Sequence, residues 1–480
     1  MVRRRRSSSS ASAVLIGLVV GCGSSQEPAP AESTHPVERV ILITCDTLRA
    51  DHLGVYGYPY ATSPNLDAFA RECLVFDEAW SSAPLTAPAL ATVMTGRLPD
   101  ELGMSSNLVL APAAATTLAE VLSAAGIETA AVVSNWVLRR REGRSGEGLE
   151  QGFATYDDFM EEVERNRPTV CERRAAATTD AALEWLENRQ GGRFFLWVHY
   201  QDPHGPYTPP EDCVRAVERP FTEEPELVVG ATQVGFGEIP KYQAFGDDRA
   251  PESYRIRYDA EIRYFDRELG RLLASLHVAG PLDRALVIFT ADHGESLGEH
   301  GYWFGHGQNL YRELLRVPLL VRYPAGFPAP LVARREGDWR RVPGITGHVD
   351  LLPTVLDAFG LPPLPAHGKS LLTVAFPESR ILPHTLRASG TKERWEGATD
   401  GFYHFVAGPG GRWLFDLERD PGETTDVAAS QRPRLALLEG AVSAMAAALP
   451  PLASKGAVEE LDPGVQEKFD DLGYTGTDGL

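Results

Sequence analysis

The sequence predicts an α/β fold with a central, mostly parallel sheet and helices on both of its faces. Short apolar runs alternate along most of the chain with segments of helical periodicity. Such alternation is typical of parallel sheets whose crossover connections are helices. Candidate strands lie at residues 40–44, 129–134, 194–199, 286–290 and 317–322. Candidate helices lie at residues 63–73, 86–95, 116–125, 174–187, 254–276 and 349–359.

The C-terminal part of the chain has a different pattern. After about residue 362 the alternation fades, and residues 402–406 and 412–417 predict a hairpin. The expected organisation is therefore a main catalytic domain at 37–361 and a small α+β C-terminal subdomain with a tail at 362–480. Residues 218–251, which are acidic and contain several Gly and Pro residues, are expected to form an inserted loop.

Length and charge narrow the classes of partner. A chain of 480 residues can bury a large core. The formal net charge of −20 argues against a nucleic-acid partner. An anionic substrate stays possible, because a bound cation dominates the field around it.

The N-terminus has the pattern of an export signal. A basic start at Arg3 to Arg6 precedes an apolar stretch at 11–20 and then Cys22. The small residues before Cys22 resemble a bacterial lipoprotein box, which would make Cys22 the lipidated first residue of a cell-envelope protein, in the periplasm or on the outer membrane. A plain signal peptide or a short anchor is the alternative. Residues 1–22 are thus expected to be a signal peptide and 23–36 a flexible tether.

Four further cysteines follow. Cys45 lies in a predicted strand and Cys73 ends a helical pattern, so both are expected to be packing residues. Cys171 and Cys213 flank a candidate site region, and export would permit a disulfide there. The sequence does not fix that pairing.

Acidic residues follow two of the predicted strands. Asp46 ends the strand at 40–44, and Asp292-His293 end the strand at 286–290. Carboxylates at the C-terminal ends of parallel strands are well placed to hold a cation at the edge of a sheet. We expect one divalent ion (Zn, Mn, Ca or Mg) rather than two; a single imidazole favours Zn or Mn.

Thr86 starts a predicted helix that contains Pro88 near its beginning and ends before Gly96. The simplest interpretation of Thr86 is a capping hydroxyl. The functional alternative is a nucleophile, because a helix N-terminus favours negative charge and a bound metal can lower the pKa of a hydroxyl. Only its combination with Asp46, Asp292 and His293 makes the second interpretation attractive.

The order of motifs resembles the sulfatase family of the alkaline phosphatase superfamily, over nearly all of the chain after residue 37. The matching segments are 41–54 (ILITCDTLRADHLG), 63–67 (SPNLD), 95–99 (TGRLP), 199–207 (HYQDPHGPY), 258–262 (YDAEI), 292–301 (DHGESLGEHG), 317–320 (VPLL), 348–354 (HVDLLPT), 415–423 (FDLERDPGE) and 472–474 (LGY).

The resemblance implies an alkaline-phosphatase-like three-layer sandwich with the site at the C-terminal edge of the sheet. It implies that Asp46, Asp292 and His293 bind the metal together with Thr86, and that His204 and His306 contact the substrate anion. His306 stands where many sulfatases have a lysine. Arg97 is a further candidate for substrate binding.

The chain departs from the family at the nucleophile. Sulfatases carry Cys or Ser, any residue, Pro, a small residue and Arg, and the first residue is oxidised to formylglycine. Here the frame is Thr86-Ala87-Pro88-Ala89-Leu90, and Thr47 replaces a second metal-binding Asp. Threonine cannot become an aldehyde, and a sulfated threonine lacks the exit that the aldehyde hydrate provides.

A phosphorylated threonine can instead be resolved by in-line attack of water or another alcohol, as in the phosphodiesterases and lipid-headgroup phosphotransferases of the superfamily. The sequence therefore predicts a metal-dependent hydrolase of sulfate or phosphate esters, with phosphate favoured. The alternative is a sulfatase-like binding lipoprotein that has lost catalysis.

Other residues keep open roles. His300 is a candidate support for the metal. For His52 and His348, a packing role and a role in the site are equally open. Asp202 with His204 and His306 could form a second cation site. Arg49, Arg97 and the run at 139–141 offer anion contacts, although a solvated face is the simpler interpretation of the run.

Overall fold

The computed structural model describes residues 37–141, 146–189, 191–221, 224–278, 281–324, 327, 333–372, 380–387 and 393–452. The predicted signal peptide, Cys22 and the tether lie outside these residues. Residues 35–480 are grouped as one compact unit. The predicted boundary near residue 362 stays a prediction.

The described strands are β1 Arg39–Cys45, β2 Leu74–Trp80, β3 Glu128–Val133, β4 Thr155–Asp157, β5 Glu162–Glu164, β6 Arg167–Glu172, β7 Phe194–Tyr200, β8 Ala285–Ala291, β9 Ser296–Leu297, β10 Trp303–Gly305, β11 Arg316–Val317, β12 Leu319–Arg322, β13 Arg334–Glu336, β14 Trp339–Gly347, β15 Leu382–Arg387, β16 Arg394–Thr399, β17 Tyr403–Gly408 and β18 Gly411–Asp416. The described α-helices are α1 Pro64–Ala70, α2 Thr86–Thr95, α3 Pro99–Leu102, α4 Leu118–Ala124, α5 Ala175–Asn188, α6 Glu211–Val217, α7 Pro251–Val278, α8 Arg312–Leu315, α9 Leu351–Ala358 and α10 Arg432–Ala446.

A mixed sheet of ten described strands forms the centre, in the order β13-β14-β2-β12-β8-β1-β7-β3-β4, with β11 also paired to β2. The middle of the sheet is parallel: β1 lies between β7 and β8, and β3 follows β7. The strand β12 is antiparallel to both of its neighbours, β2 and β8. The α/β class and the mostly parallel centre are as predicted.

The central strands are buried on both faces. Every residue of β7 and β8 is buried, as is all of β1 after Arg39. Their continuous Val, Ile, Leu and Phe runs suit a strand covered on both sides by helices, in contrast to the alternation of a half-exposed strand. The core therefore lies directly beneath the edge of the sheet where the predicted site residues follow.

A second sheet of four antiparallel strands has the order β15-β16-β17-β18. Its last hairpin, β17 with β18, was predicted. The sheet packs with α10, whose Leu438 and Val442 belong to a small apolar cluster with Ala398, Phe405 and Leu414.

Several expectations were wrong in detail. The strand predicted at 317–322 is split into β11 and β12 at Pro318, which has no N–H for the ladder. The strand β2 was missed, because Asp77 and Glu78 interrupt its apolar pattern. The disulfide that we considered does not form, since Cys171 and Cys213 are both free thiols. Cys45 and Cys73 are buried, as expected.

Within the described part of the chain, none of the helices combines the length and the apolar character that crossing a membrane requires.

The end of α2 provides a test of the fold. Gly96 caps this helix with φ +67°, and a Cβ there would lie 2.6 Å from Cβ of Ala366. Gly57 also has a positive φ, +97°, but a Cβ there would meet nothing within 4 Å. We predict that Gly57→Ala lowers the free energy of unfolding by about 1 kcal/mol through backbone strain alone. Gly96→Ala should cost clearly more, because it adds a steric clash.

Equilibrium unfolding in denaturant measures both variants against the wild type. Equal losses would show that the contact between Gly96 and Ala366 does not constrain the helix end.

Candidate active site

The ends of β1 and β8 place two aspartates side by side. The register aligns Cys45 with Ala291, the last residue of each strand. Two further backbone bonds extend the ladder, from the Asp46 N–H to the Tyr200 carbonyl (2.9 Å) and from the Asp292 N–H to the Cys45 carbonyl (3.2 Å). Both carboxylates therefore leave the same edge of the sheet at the same height.

His293 completes this group. Its Nε2 lies 4.0 Å from Oδ1 of Asp46 and 3.7 Å from Oδ2 of Asp292, and all three residues are fully buried. The Nδ1 of His293 is 2.9 Å from the carbonyl of Gly294, which can only accept a hydrogen bond. Nδ1 thus carries the hydrogen, and the lone pair of Nε2 is directed at the carboxylates, as in a metal-binding imidazole.

Each aspartate has one paired and one unpaired oxygen. Oδ2 of Asp46 accepts from the side-chain amide of Asn135, and Oδ1 of Asp292 accepts from the N–H groups of Thr47 (3.1 Å) and His293 (2.7 Å). Oδ1 of Asp46 and Oδ2 of Asp292 have no hydrogen-bond partner among the described residues.

The electrostatics favour a cation at this place. Burial raises the pKa of both carboxyls, that of Asp292 to about 7, and the charge of Asp46 raises the pKa of Asp292 further. Two buried carboxylates are costly unless a positive charge offsets them. Two carboxylate oxygens and one imidazole, whose ligand atoms all lie within 4.8 Å of one another, fit a divalent metal ion.

Thr86 faces the same point. It is the first residue of α2, and its Oγ1 lies 3.5 Å from Nε2 of His293. The residue that precedes the helix is Leu85, so the interpretation of Thr86 as a capping hydroxyl is wrong. The predicted metal ligands and the predicted nucleophile therefore meet, although they come from three distant parts of the chain.

His199 lies beside Asp46, on the neighbouring strand β7. Oγ1 of Thr44 accepts the indole N–H of Trp197 (2.9 Å), so its own hydrogen is available to Nδ1 of His199 (2.9 Å). Nε2 of His199 lies 3.6 Å from Oδ2 of Asp46 and has no hydrogen-bond partner among the described residues. The imidazole therefore packs beside the carboxylate without donating to it.

The two remaining histidines border the opposite side. The ring of His306 lies 4.6 Å from that of His293 and 5.2 Å from that of His204, measured between centroids. Burial lowers the pKa of both, that of His306 to about 3. Both imidazoles are therefore neutral at pH 7.

Their hydrogen bonds give them different roles. Nδ1 of His204 donates to the Gly205 carbonyl (2.7 Å), which leaves its Nε2 as a proton acceptor. Nδ1 of His306 lies 3.0 Å from Oε1 of Glu295. Burial raises the pKa of Glu295 to about 8, so this carboxyl can donate to Nδ1, and Nε2 of His306 then carries a hydrogen.

Asn135, Asn107 and Arg167 also lie near this group and were not predicted from the sequence. Asn135 follows the end of β3 and binds Asp46, so the rule of strand ends could have found it. Asn107 accepts the N–H of Ala87 at the start of α2 (2.9 Å). Arg167 starts β6, is 2% exposed, donates to the Gly205 carbonyl (3.1 Å) and places its positive charge toward His204 and His306. No local pattern marks Asn107 or Arg167.

Several candidates lie elsewhere. The guanidinium of Arg97 reaches the Pro450 carbonyl (3.3 Å), so its contacts do not support substrate binding. Arg49 is held by Asp51 and Glu299. Oδ2 of Asp202 accepts the N–H of Ala175 (2.7 Å), which turns this carboxylate toward α5 and away from a second cation site with His204 and His306.

The other histidines have structural partners. His52 pairs with Asp259 (2.6 Å), and Nε2 of His348 donates to the Ala291 carbonyl (2.9 Å) beneath the site. His300 was considered as a support for the metal at His293. It lies instead in another group, with Glu313 and Glu423.

The support of Asp46 by Asn135 can be tested. We predict that Asn135→Ala weakens the binding of Mn²⁺ or Zn²⁺ to metal-free protein by about 10- to 100-fold, because Asp46 loses the donor that orients it. Isothermal titration calorimetry measures the affinity. Asn65→Ala is the matched control, since it removes an amide bond to another aspartate, Asp266 (2.9 Å), on the far helix α7. An unchanged affinity in Asn135→Ala would contradict the assigned role.

Comparisons with known proteins identify the family of this chain. Two relatives are an N-acetylglucosamine-6-O-sulfatase of Bacteroides thetaiotaomicron, 24% identical over 80% of this chain and 76% of the relative, and an arylsulfatase of Clostridium perfringens, 25% identical over 82% and 90%. The solved structure of a phosphonate monoester hydrolase of Agrobacterium radiobacter matches with a TM-score of 0.66 and 21% identity, over 86% of this chain and 96% of that one. This last likeness shows the fold alone. The model of the family described as Sulfatase matches residues 38–361. The chain belongs to the sulfatase family.

Proposed function

We propose that this protein is a metal-dependent hydrolase of sulfate or phosphate esters in which Thr86 is the nucleophile. One observation carries the proposal. The Thr86 hydroxyl lies 3.5 Å from the His293 Nε2, within a buried group that also offers two unpaired carboxylate oxygens. Family membership supports an ester hydrolase, and the relatives named above are sulfatases.

Asp46, Asp292 and His293 would hold the cation, which would lower the pKa of the Thr86 hydroxyl and offset charge on the ester oxygens when bound. Thr86 stands at the N-terminus of a ten-residue helix, whose dipole favours the negative charge of an attacking oxygen. Asn107 holds the Ala87 N–H and thereby fixes the first turn of that helix.

The histidines divide the proton chemistry. Nε2 of His306 donates to an ester oxygen, and the charge of Arg167 behind it favours an anion at this place. Nε2 of His204, which is unprotonated, accepts the proton of the water that releases Thr86 in the second step. Neutral imidazoles suit these roles, because each has one nitrogen that carries a hydrogen and one that can accept a proton.

The identity of the nucleophile favours phosphorus over sulfur. A threonine ester has no neighbouring hydroxyl through which it could collapse to an aldehyde, so water must attack the central atom itself. Attack of this kind is the usual course for phosphoryl groups. We therefore propose phosphate esters as the preferred substrates within a family named for sulfate esters.

The alternative, a binding protein that has lost catalysis, rests on Leu90 and Thr47 in place of an arginine and an aspartate. The convergence of Thr86, Asp46 and His293 speaks against it, since a site released from selection has no reason to keep buried, unpaired carboxylates. The proposed location, a lipid-anchored protein of the bacterial cell envelope, rests on the N-terminal sequence alone.

We predict that Thr86→Ala abolishes measurable turnover while the protein keeps its bound metal, because the ligands Asp46, Asp292 and His293 remain. Thr86→Ser should keep a substantial part of the activity, since it retains a hydroxyl. Thr92→Ala is the control on the same helix: Thr92 is buried and bonded to Ser82 (2.8 Å). Steady-state kinetics and elemental analysis measure the two effects. Full activity in Thr86→Ala would rule out this nucleophile.

A panel of substrates tests whether the enzyme prefers phosphate esters or sulfate esters. We predict that wild-type protein hydrolyses an aryl phosphate monoester or diester with a higher kcat/KM than the matched aryl sulfate, and that Thr86→Ala loses both activities. A preference for the aryl sulfate would contradict the phosphate proposal but keep the ester hydrolase. Absence of turnover on every ester, with no metal bound, would favour the binding protein.

A further inference from the structure

A second group of metal-binding side chains lies outside the proposed active site. His300, Glu313 and Glu423 each offer a ligand atom, and these atoms lie within 4.8 Å of one another. His300 ends the DHGESLGEH segment, Glu313 is in α8, and Glu423 follows β18 of the second sheet. The group thus brings together three segments of the chain that belong to different elements.

Glu313 is the residue that requires an explanation. Its side chain is only 6% exposed, and its Oε1 has no hydrogen-bond partner among the described residues. The nearest charged neighbours that act on it include two further carboxylates, Glu299 and Glu423, while Arg49 opposes them. Burial and these carboxylates raise its pKa. Such a carboxyl must either hold a proton or face a cation.

Glu423 is held in place by its neighbours. It is 2% exposed; its Oε1 is bonded to Nδ1 of His404, and its Oε2 accepts the Arg312 N–H (2.7 Å). Its φ of +54° is a left-handed conformation, which is unfavourable for a residue with a Cβ. Both oxygens are thus oriented by hydrogen bonds, and each keeps a second lone pair with which it could coordinate a cation.

His300 is oriented in a similar way. Its ring stacks on Tyr311, with centroids 3.6 Å apart and an angle of 8° between the planes. It too has a left-handed φ, +55°. Its Nε2 lies 3.9 Å from Oε2 of Glu313. Across a tetrahedral ion with bonds of 2.0–2.2 Å, ligand atoms are about 3.4 Å apart, so a small movement closes the site.

We propose that His300, Glu313 and Glu423 bind a second divalent cation, of the Zn²⁺ or Mn²⁺ class, with a structural role. One imidazole and two carboxylates are a ligand set that these ions accept. The two negative charges of the glutamates match the charge of the ion. Ca²⁺ and Mg²⁺ fit less well, because both prefer oxygen ligands throughout.

The place of this ion explains what it would do. The Gly294 N–H, next to the metal ligand His293, bonds to the Leu314 carbonyl (2.8 Å), and a Cβ at Gly294 would lie 2.0 Å from the Glu313 carbonyl. The backbone that carries Glu313 therefore supports the backbone that carries His293. An ion bound by Glu313 and Glu423 would link the backbone of α8, which contacts Gly294, to the segment that follows the second sheet.

Metal content tests the proposal. Full-length protein is dialysed against Zn²⁺ alone or Mn²⁺ alone, passed through a desalting column and analysed for bound metal. We expect two ions per wild-type chain. His300→Ala and Glu313→Gln should each lose one ion and keep the one that depends on Asp292. Asp292→Asn should show the reverse, and Asp292→Asn with Glu313→Gln should lose both. His277→Ala is the matched control, because His277 also lies near a single glutamate, Glu72 (3.4 Å), outside any such group.

The outcomes separate the two sites. Equal metal content in wild type, His300→Ala and Glu313→Gln would overturn this second site, whatever Asp292→Asn does. Unchanged content in Asp292→Asn alone would overturn the active-site metal and leave the second site standing. If Glu313→Gln fails to fold, His300→Ala decides, since His300 is an exposed residue. Added Zn²⁺ or Mn²⁺ should also raise the melting temperature of Asp292→Asn but not of the double variant.

Discussion

The repulsion between two buried carboxylates is the constraint on which the site depends. The register of β1 and β8 forces Asp46 and Asp292 to the same height at the edge of the sheet, and neither is exposed to solvent. The cost of leaving two such charges uncompensated is several kcal/mol per ion. A bound cation would offset this cost. The same arrangement places the His293 imidazole and the Thr86 hydroxyl next to the position of that cation.

Hydrogen bonds from the surrounding structure fix the orientation of Asp46, Asp292 and His293. Donors from Asn135, Thr47 and the His293 backbone fix one oxygen of each carboxylate and leave the other available. The Gly294 carbonyl fixes the tautomer of His293. Because the histidines beyond it are neutral, no imidazolium group offsets the negative charge of the carboxylates. Since burial raises the pKa of both carboxyls, a metal ion displaces protons from them when it binds.

The sequence predicted those parts of this arrangement that depend on local patterns. Apolar runs predicted β1, β7 and β8, and the polar residues that follow β1 and β8 predicted the group of candidate metal ligands. The limits of α2 at Thr86 and Gly96 followed from Pro88 and the glycine. Arg167, Asn107 and the group around Glu313 were not predictable, because their roles arise from contacts between segments that are far apart in the chain. The strand β2 was not predicted, for another reason. Its acidic residues form ion pairs with Arg312, Arg316 and Arg341, and these partners come together only in the folded sheet.

The replacement of the family's arginine by Leu90 is best understood together with Arg167. Leu90 is fully buried in the main apolar cluster, so it fills the core rather than lining the site. The positive charge near His204 and His306 comes instead from Arg167, on a hairpin of its own and paired with Glu164. We propose that Arg167 provides here the positive charge that an arginine next to the nucleophile would otherwise supply. Together with the proposed threonine nucleophile, this charge would suit an enzyme that acts on phosphate esters.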